Sequence, residues 1–144
     1  MRAIKQFEEF IKTGIVKQQS PNLSRAEFLK EESKKSYSFL KKKLEVFGIS
    51  NETANDLIKS SYDIIMELIR AKMLLEGYNA SGQGAHEAEV SYLRTLGFKE
   101  KDVQFADQLR YFRNGMLYYG TSLDEEYAQK VIDFTNKLYK LLLK

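Results

Sequence analysis

S-N-E-T-A-N-D-L-I-K-S-S-Y-D-I-I-M-E-L-I-R-A-K-M-L-L-E-G, Ser50 to Gly77, decides the fold. Ala54, Leu57, Ser61, Ile64, Ile65, Leu68, Ile69, Lys72 and Leu75 recur at spacings of three and four, the period of a helix that turns one stripe to a core. Ser50 or Asn51 is placed to cap its start, and Gly77 to close it. The same rhythm runs upstream through Ala26, Leu29, Ser33, Tyr37, Leu40, Leu44 and Phe47, where Gly48 ends it. Ser24, with Glu27 three residues on, reads as a capping box at its head. Pro21 is the single proline and lies in a connector from Gln18 to Leu23. Before that connector, about Ala3 to Lys12 forms a leading helix with Ile4, Phe7, Phe10 and Ile11 on one face.

Downstream, N-A-S-G-Q-G (Asn79 to Gly84) reads as a flexible loop. A short helix spans His86 to Leu96 and a longer one about Lys101 to Tyr118. After the break at Gly120, Ser122 with Glu125 suggests a second capping box, and Val131, Phe134, Leu138 and Leu141 define a last helix. No segment alternates in the strand period. The pattern predicts an all-α protein: an antiparallel up-and-down bundle of about five to six helices, one domain over residues 1–144. Within it, 1–22 form the leading helix and connector and 23–142 the bundle.

Composition narrows the chemistry. The chain has 144 residues, no cysteine and one histidine, so thiolate sites, cysteine nucleophiles and multi-histidine metal centres are excluded, and neither a metal nor a cofactor is expected. The N-terminus is charged throughout and no apolar run approaches membrane-spanning length, so the sequence reads as cytoplasmic and without a membrane partner. Net charge is +3, too small to argue for nucleic acid alone. Residues 1–50 hold eleven Lys/Arg against six Asp/Glu, and Lys41, Lys42 and Lys43 are the densest basic point; as a reading, a solvated helix face suits them better than a phosphate patch.

R-Y-F-R-N-G-M-L-Y-Y-G, Arg110 to Gly120, departs from that Lys/Glu surface. Planar donors of this kind suit phosphate or bases. At 100° per residue, Phe105, Leu109, Phe112, Met116 and Tyr119 fall on one face and are expected in the core, whereas Asp107, Arg110, Asn114 and Tyr118 form a polar ridge opposite. Arg113 sits on the shoulder between them, where an arginine can bury its stem and present its guanidinium at a cleft. His86 is the one conventional base. It reads either as a partly buried helix residue on the side of Val90 and Leu93, or as a group that approaches Arg113.

Arg113-Asn114, followed by Tyr118, resembles the R-N-x-x-x-H motif of HEPN domains, small all-α proteins often paired with a minimal nucleotidyltransferase. The stretch Tyr62 to Tyr78 is similar to that family's central helix, and the Gly-rich loop leads into His86 as a histidine opens the next helix in HEPN chains. The resemblance covers about Leu23 to Leu142. It implies a homodimer, a nucleotidyltransferase partner, and an RNA or nucleotide ligand. In active members, metal-independent ribonucleases, the motif arginine holds the scissile phosphate and the histidine moves protons. Here Tyr118 stands in the histidine's place, and a neutral phenol with an ordinary pKa of about 10 is a poor base.

Three readings follow. The departure at Tyr118 favours a binding module that grips its ligand through Asp107, Arg110, Arg113, Asn114 and Tyr118 without cleaving it. Retention of Arg113-Asn114 favours a metal-independent endoribonuclease of toxin–antitoxin type, with Arg113 and either His86 or Tyr118 as its catalytic residues. The third is a structural helical dimerisation protein. Arg113 and Tyr118 point about 140° apart on an ideal helix, so one ligand meets both only if the helix bends near Gly115 or the site is shared across a dimer.

Overall fold

The structure, a computed structural model, describes residues 3–120 and 122–144, apart from the side chains of Leu117 and Tyr118. Its elements run α1 (Phe7–Lys12), β1 (Val16–Gln18), α2 (Leu23–Phe47), α3 (Ala54–Leu75), β2 (Tyr78–Ala80), α4 (Ala85–Thr95), α5 (Glu100–Tyr118) and α6 (Glu125–Leu142). This is the all-α bundle that the hydrophobic period predicts, with six helices and one small sheet.

The bundle is built around α3. Beyond the predicted stripe, Ile58, Tyr62, Met66, Ala71, Met73 and Leu74 are also buried, so apolar side chains cover most of its circumference. A helix of that kind must be wrapped on several sides, and α2, α4, α5 and α6 all pack on it. Lys43 Nζ at the end of α2 donates to Asp56 Oδ2 at 2.8 Å and Ser60 Oγ at 2.7 Å. The Asn22 N–H donates to the Leu74 carbonyl at the opposite end, which fixes α2 and α3 as antiparallel. Helix α6 runs beside α3 in the same direction: the Leu123 N–H meets Asn55 Oδ1, and Lys72 Nζ meets the Lys144 carbonyl. Tyr37 ties α2 to α6 by stacking on Tyr139, centroids 3.7 Å apart, and donating to Asn136 Oδ1 at 2.6 Å.

The sheet corrects the expectation of no strands. Val16 pairs with Ala80, Lys17 with Asn79 and Gln18 with Tyr78, antiparallel. Three residues are too few to show alternation, and their partners lie some sixty positions away. The same pairing places Asn79 and Ala80 in a strand where a flexible loop was expected. Helix starts also differ from the capping boxes read in the sequence. Asn22, not Ser24, caps α2 by accepting from the Arg25 N–H, and Asp124, not Ser122, caps α6 by accepting from the Tyr127 N–H. Helix α3 begins at Ala54 behind Thr53, and Asn51 instead accepts from the Glu125 N–H at the head of α6.

The core stripe of each outer helix is shorter than its pattern. Phe47 is 70 % exposed, and at the end of α6 Leu142 rather than Leu141 is buried. Gly77, at φ +83°, sits where α3 gives way to β2, and a Cβ there would lie 2.4 Å from the Gln19 carbonyl oxygen. Backbone strain and a backbone clash therefore coincide. Gly77→Ala is expected to destabilise the fold by about 2 kcal/mol or more in urea unfolding, against about 1 kcal/mol for Gly82→Ala, which has positive φ but open space.

Candidate functional site

A cleft of about 440 Å³ opens where α2, α3, α4 and α5 converge. Tyr62, Asp63, Glu67 and Arg70 come from one side of α3, His86 from the first turn of α4, Arg113 and Asn114 from α5, and Ser36 from α2. Asp63, Glu67 and Arg70, at i, i+4 and i+7, share one ridge of the central helix, with Tyr62 and Met66 alongside. Asp63, Glu67 and Arg70 are the polar break in its apolar surface.

Glu89 anchors the cleft from beneath. It is 1 % exposed on α4 and receives Arg70 through two bonds, Nε to Oε2 at 2.6 Å and Nη2 to Oε1 at 3.1 Å. His86 Nδ1 lies 2.9 Å from Glu89 Oε1. Burial alone pushes the Glu89 carboxyl up, but the hydrogen bonds from His86 and Arg70 and the charge of Arg70 outweigh it and hold it below the ordinary carboxylate range. Glu89 is thus ionised and acts only as an acceptor, so the proton of the His86–Glu89 bond belongs to Nδ1.

Arg113 is in the opposite condition. Its Nε and Nη1 are buried and have no hydrogen-bond partner among the described residues. Carboxylates stand nearby, for Arg113 pulls the Asp63 pKa down, yet no ion pair joins them among the described residues. Partial desolvation wins at Asp63 and raises its carboxyl, against Arg113, Arg70 and His86. Desolvation also raises Glu67, reinforced by the like charge of Asp63. Burial lifts the Tyr62 phenol well above its usual range, so its hydroxyl stays neutral and able to donate. Among the described residues the cleft therefore holds a guanidinium with two unpartnered nitrogens, two carboxyls outside any ion pair and a tethered imidazole.

The structure brings Arg113, Asn114 and His86 to one cleft. His86 is not partly buried beside Val90 and Leu93; its side chain is 61 % exposed. Asp107 and Arg110 do not line the cleft. They bind each other, Arg110 Nε to Asp107 Oδ1 at 2.8 Å, and Asp107 is 5 % exposed rather than on a solvated ridge. Helix α5 is rolled toward that side because Val103, Ala106 and Leu109 fill the core, while Phe105 and Phe112 are half-buried in an aromatic cluster with Tyr127. Tyr119, expected in the core, is 85 % exposed. The side chain of Tyr118 lies outside the described residues, and α5 runs as one helix through Gly115. In the Lys41–Lys43 run, Lys43 is held by Asp56 and Ser60 and Lys41 lies over the Tyr37 ring at 5.1 Å.

Sequence reasoning missed Tyr62, Asp63, Glu67, Arg70 and Glu89. The signal was present as charged residues one turn apart on an otherwise apolar helix, D-I-I-M-E-L-I-R, and as the i, i+3 pair His86/Glu89. Among the described residues there is no group of three or more His, Asp or Glu able to hold a metal ion, and no helix is long and apolar enough to cross a membrane. Compared with family models, curated proteins and solved structures, the chain finds no match.

The buried pair makes two expectations. Arg70→Leu strands Glu89 and should cost about 3–5 kcal/mol in chemical denaturation, whereas Arg70→Leu with Glu89→Leu should recover most of that loss. Because the folded Glu89 pKa is depressed, its stabilisation is present above the unfolded value of about 4.3 and lost as pH falls through the folded one. The stability gap between wild type and Glu89→Gln should accordingly narrow in unfolding titrations below about pH 4.

Proposed function

We propose that the α3–α4–α5 cleft is a phosphate-gripping site for RNA or a nucleotide, with Arg113 as the anion anchor and Asn114 beside it. The observation that carries this reading is the pair of buried Arg113 nitrogens that have no partner among the described residues. A buried donor without an acceptor costs about 1–3 kcal/mol, and a phosphate or other planar-faced oxyanion would remove that cost with charge-assisted bonds. The resemblance to HEPN domains points the same way through Arg113 and Asn114, and it supplies a homodimer and a minimal nucleotidyltransferase as partners. Phe28, Phe39 and Val46, exposed on α2, support an interface there.

A second reading, metal-independent RNA cleavage, gains from one observation: His86 lines the cleft that Arg113 lines. It provides a base where Tyr118 replaces the motif histidine. The two readings separate in one experiment with purified protein, a fluorescent single-stranded RNA and EDTA. Arg113→Ala is expected to weaken RNA binding by about 1.5–3 kcal/mol. It should leave thermal stability equal or slightly higher, because it deletes unsatisfied buried donors. Cleavage by wild type that vanishes in Arg113→Ala and His86→Ala would install the nuclease reading, and unchanged RNA affinity in a folded Arg113→Ala protein would remove the anchor.

A further inference from the structure

Glu89 touches no part of the cleft's open volume, yet it determines what His86 can offer there. Its carboxylate is nearly inaccessible and clamped by both Arg70 bonds. It cannot rotate freely and cannot donate. Its Oε1 takes the remaining bond from His86 Nδ1 at 2.9 Å. The two residues are three positions apart at the start of α4, so the helix itself fixes their approach. An imidazole whose Nδ1–H is committed to a carboxylate carries its lone pair on Nε2 when neutral. Nε2 makes no hydrogen bond among the described residues, and the ring borders the cleft.

We propose that Glu89 is a positioning residue, held by Arg70, that locks His86 as the Nδ1–H tautomer and turns Nε2 into a hydrogen-bond acceptor for a hydroxyl next to the anion on Arg113. This rests on the phosphate-site reading above and deepens it by naming the ligand feature. An Nε2 lone pair repels a phosphate oxygen and accepts from an alcohol, so the ligand presents a hydroxyl vicinal to its phosphate. A ribonucleotide with a 3′-phosphate and a free 2′-hydroxyl has that arrangement, and its 2′-deoxy counterpart lacks it. Ser36, Tyr62 and Asn114 in the same cleft can each donate or accept, whereas neutral His86, its Nδ1–H taken by Glu89, can only accept.

The test uses the whole chain at about pH 8, where a histidine is ordinarily neutral. Nitrogen-15 correlation spectra report the His86 tautomer directly, the chain having one histidine. Titration with adenosine 3′-monophosphate, 2′-deoxyadenosine 3′-monophosphate and inorganic phosphate reports the ligand feature. Wild type should show the Nδ1–H form and prefer the ribonucleotide by about fivefold, the worth of one hydrogen bond. In Arg70→Leu/Glu89→Leu, which leaves no buried charge alone, the Nε2–H form should grow and the ratio of ribonucleotide to deoxyribonucleotide affinity fall to about one. Glu89→Gln, a milder change, should reduce the preference without abolishing it. An Nε2–H tautomer in folded wild type, no ribonucleotide preference in wild type, or a preference that survives the double substitution would each overturn the assignment. Loss of the phosphate site is distinguished by Arg113→Ala: if that variant binds all three ligands as wild type does, the anchor fails, while the tautomer spectra still judge Glu89.

Discussion

The two-bond ion pair between Arg70 and Glu89 lies where the demands of the core and of the cleft meet. Helix α3 is covered by apolar neighbours along most of its length, and a guanidinium leaving such a helix needs a partner that is itself desolvated. Glu89, 1 % exposed on α4, is that partner. The pair is weak ground for stability, because the cost of desolvating both ions is comparable to their attraction. Its geometry is the consequence that matters. It sets α4 against α3 at one height, places His86 at the mouth of the cleft, and keeps Glu89 ionised so that the imidazole has one orientation.

Against that satisfied pair, Arg113 stands out. Both arginines come from helices that border one cavity, and both are partly buried. Arg70 has its carboxylate; Arg113 has none among the described residues, although Asp63 is near enough for its carboxyl to feel the Arg113 charge. A fold selected only for stability would close that gap with an ion pair or replace the arginine. Unsatisfied donors kept at a cleft are the signature expected where a ligand completes the hydrogen bonding. The neighbouring carboxyls, both raised by desolvation and Glu67 also by the charge of Asp63, keep the cleft from being a uniformly basic trough. They favour a ligand that has donors as well as an anionic group.

The hydrophobic period made the helices legible, because spacing alone reports which face is buried. Arg113, Asn114 and His86 were legible by residue type. What the sequence could not show was rotation and partnership. Counting 100° steps puts Asp107 on a polar ridge, whereas α5 seats Val103, Ala106 and Leu109 in the core with Asp107 buried next to them and bonded by Arg110. Ser24 and Ser122 had the right spacing for capping boxes, but Asn22 and Asp124 reach the first free amides instead. The Val16–Ala80 pairing and the Arg70–Glu89 bond join distant segments, and local patterns carry no trace of such partners. The ridge Asp63–Glu67–Arg70 was visible as charge within an apolar helix, and only its orientation toward α4 and α5 gives it meaning.

On the proposed reading, Arg113 keeps its buried donors for an oxyanion. The most direct measurement follows the Arg113 Nε–H proton–nitrogen resonance while adenosine 3′-monophosphate is added in EDTA, with Arg113→Ala identifying the signal. A saturating shift of that resonance and its protection from solvent exchange are the expected result. An Nε–H signal that stays in place while the nucleotide binds elsewhere on the protein would contradict the account.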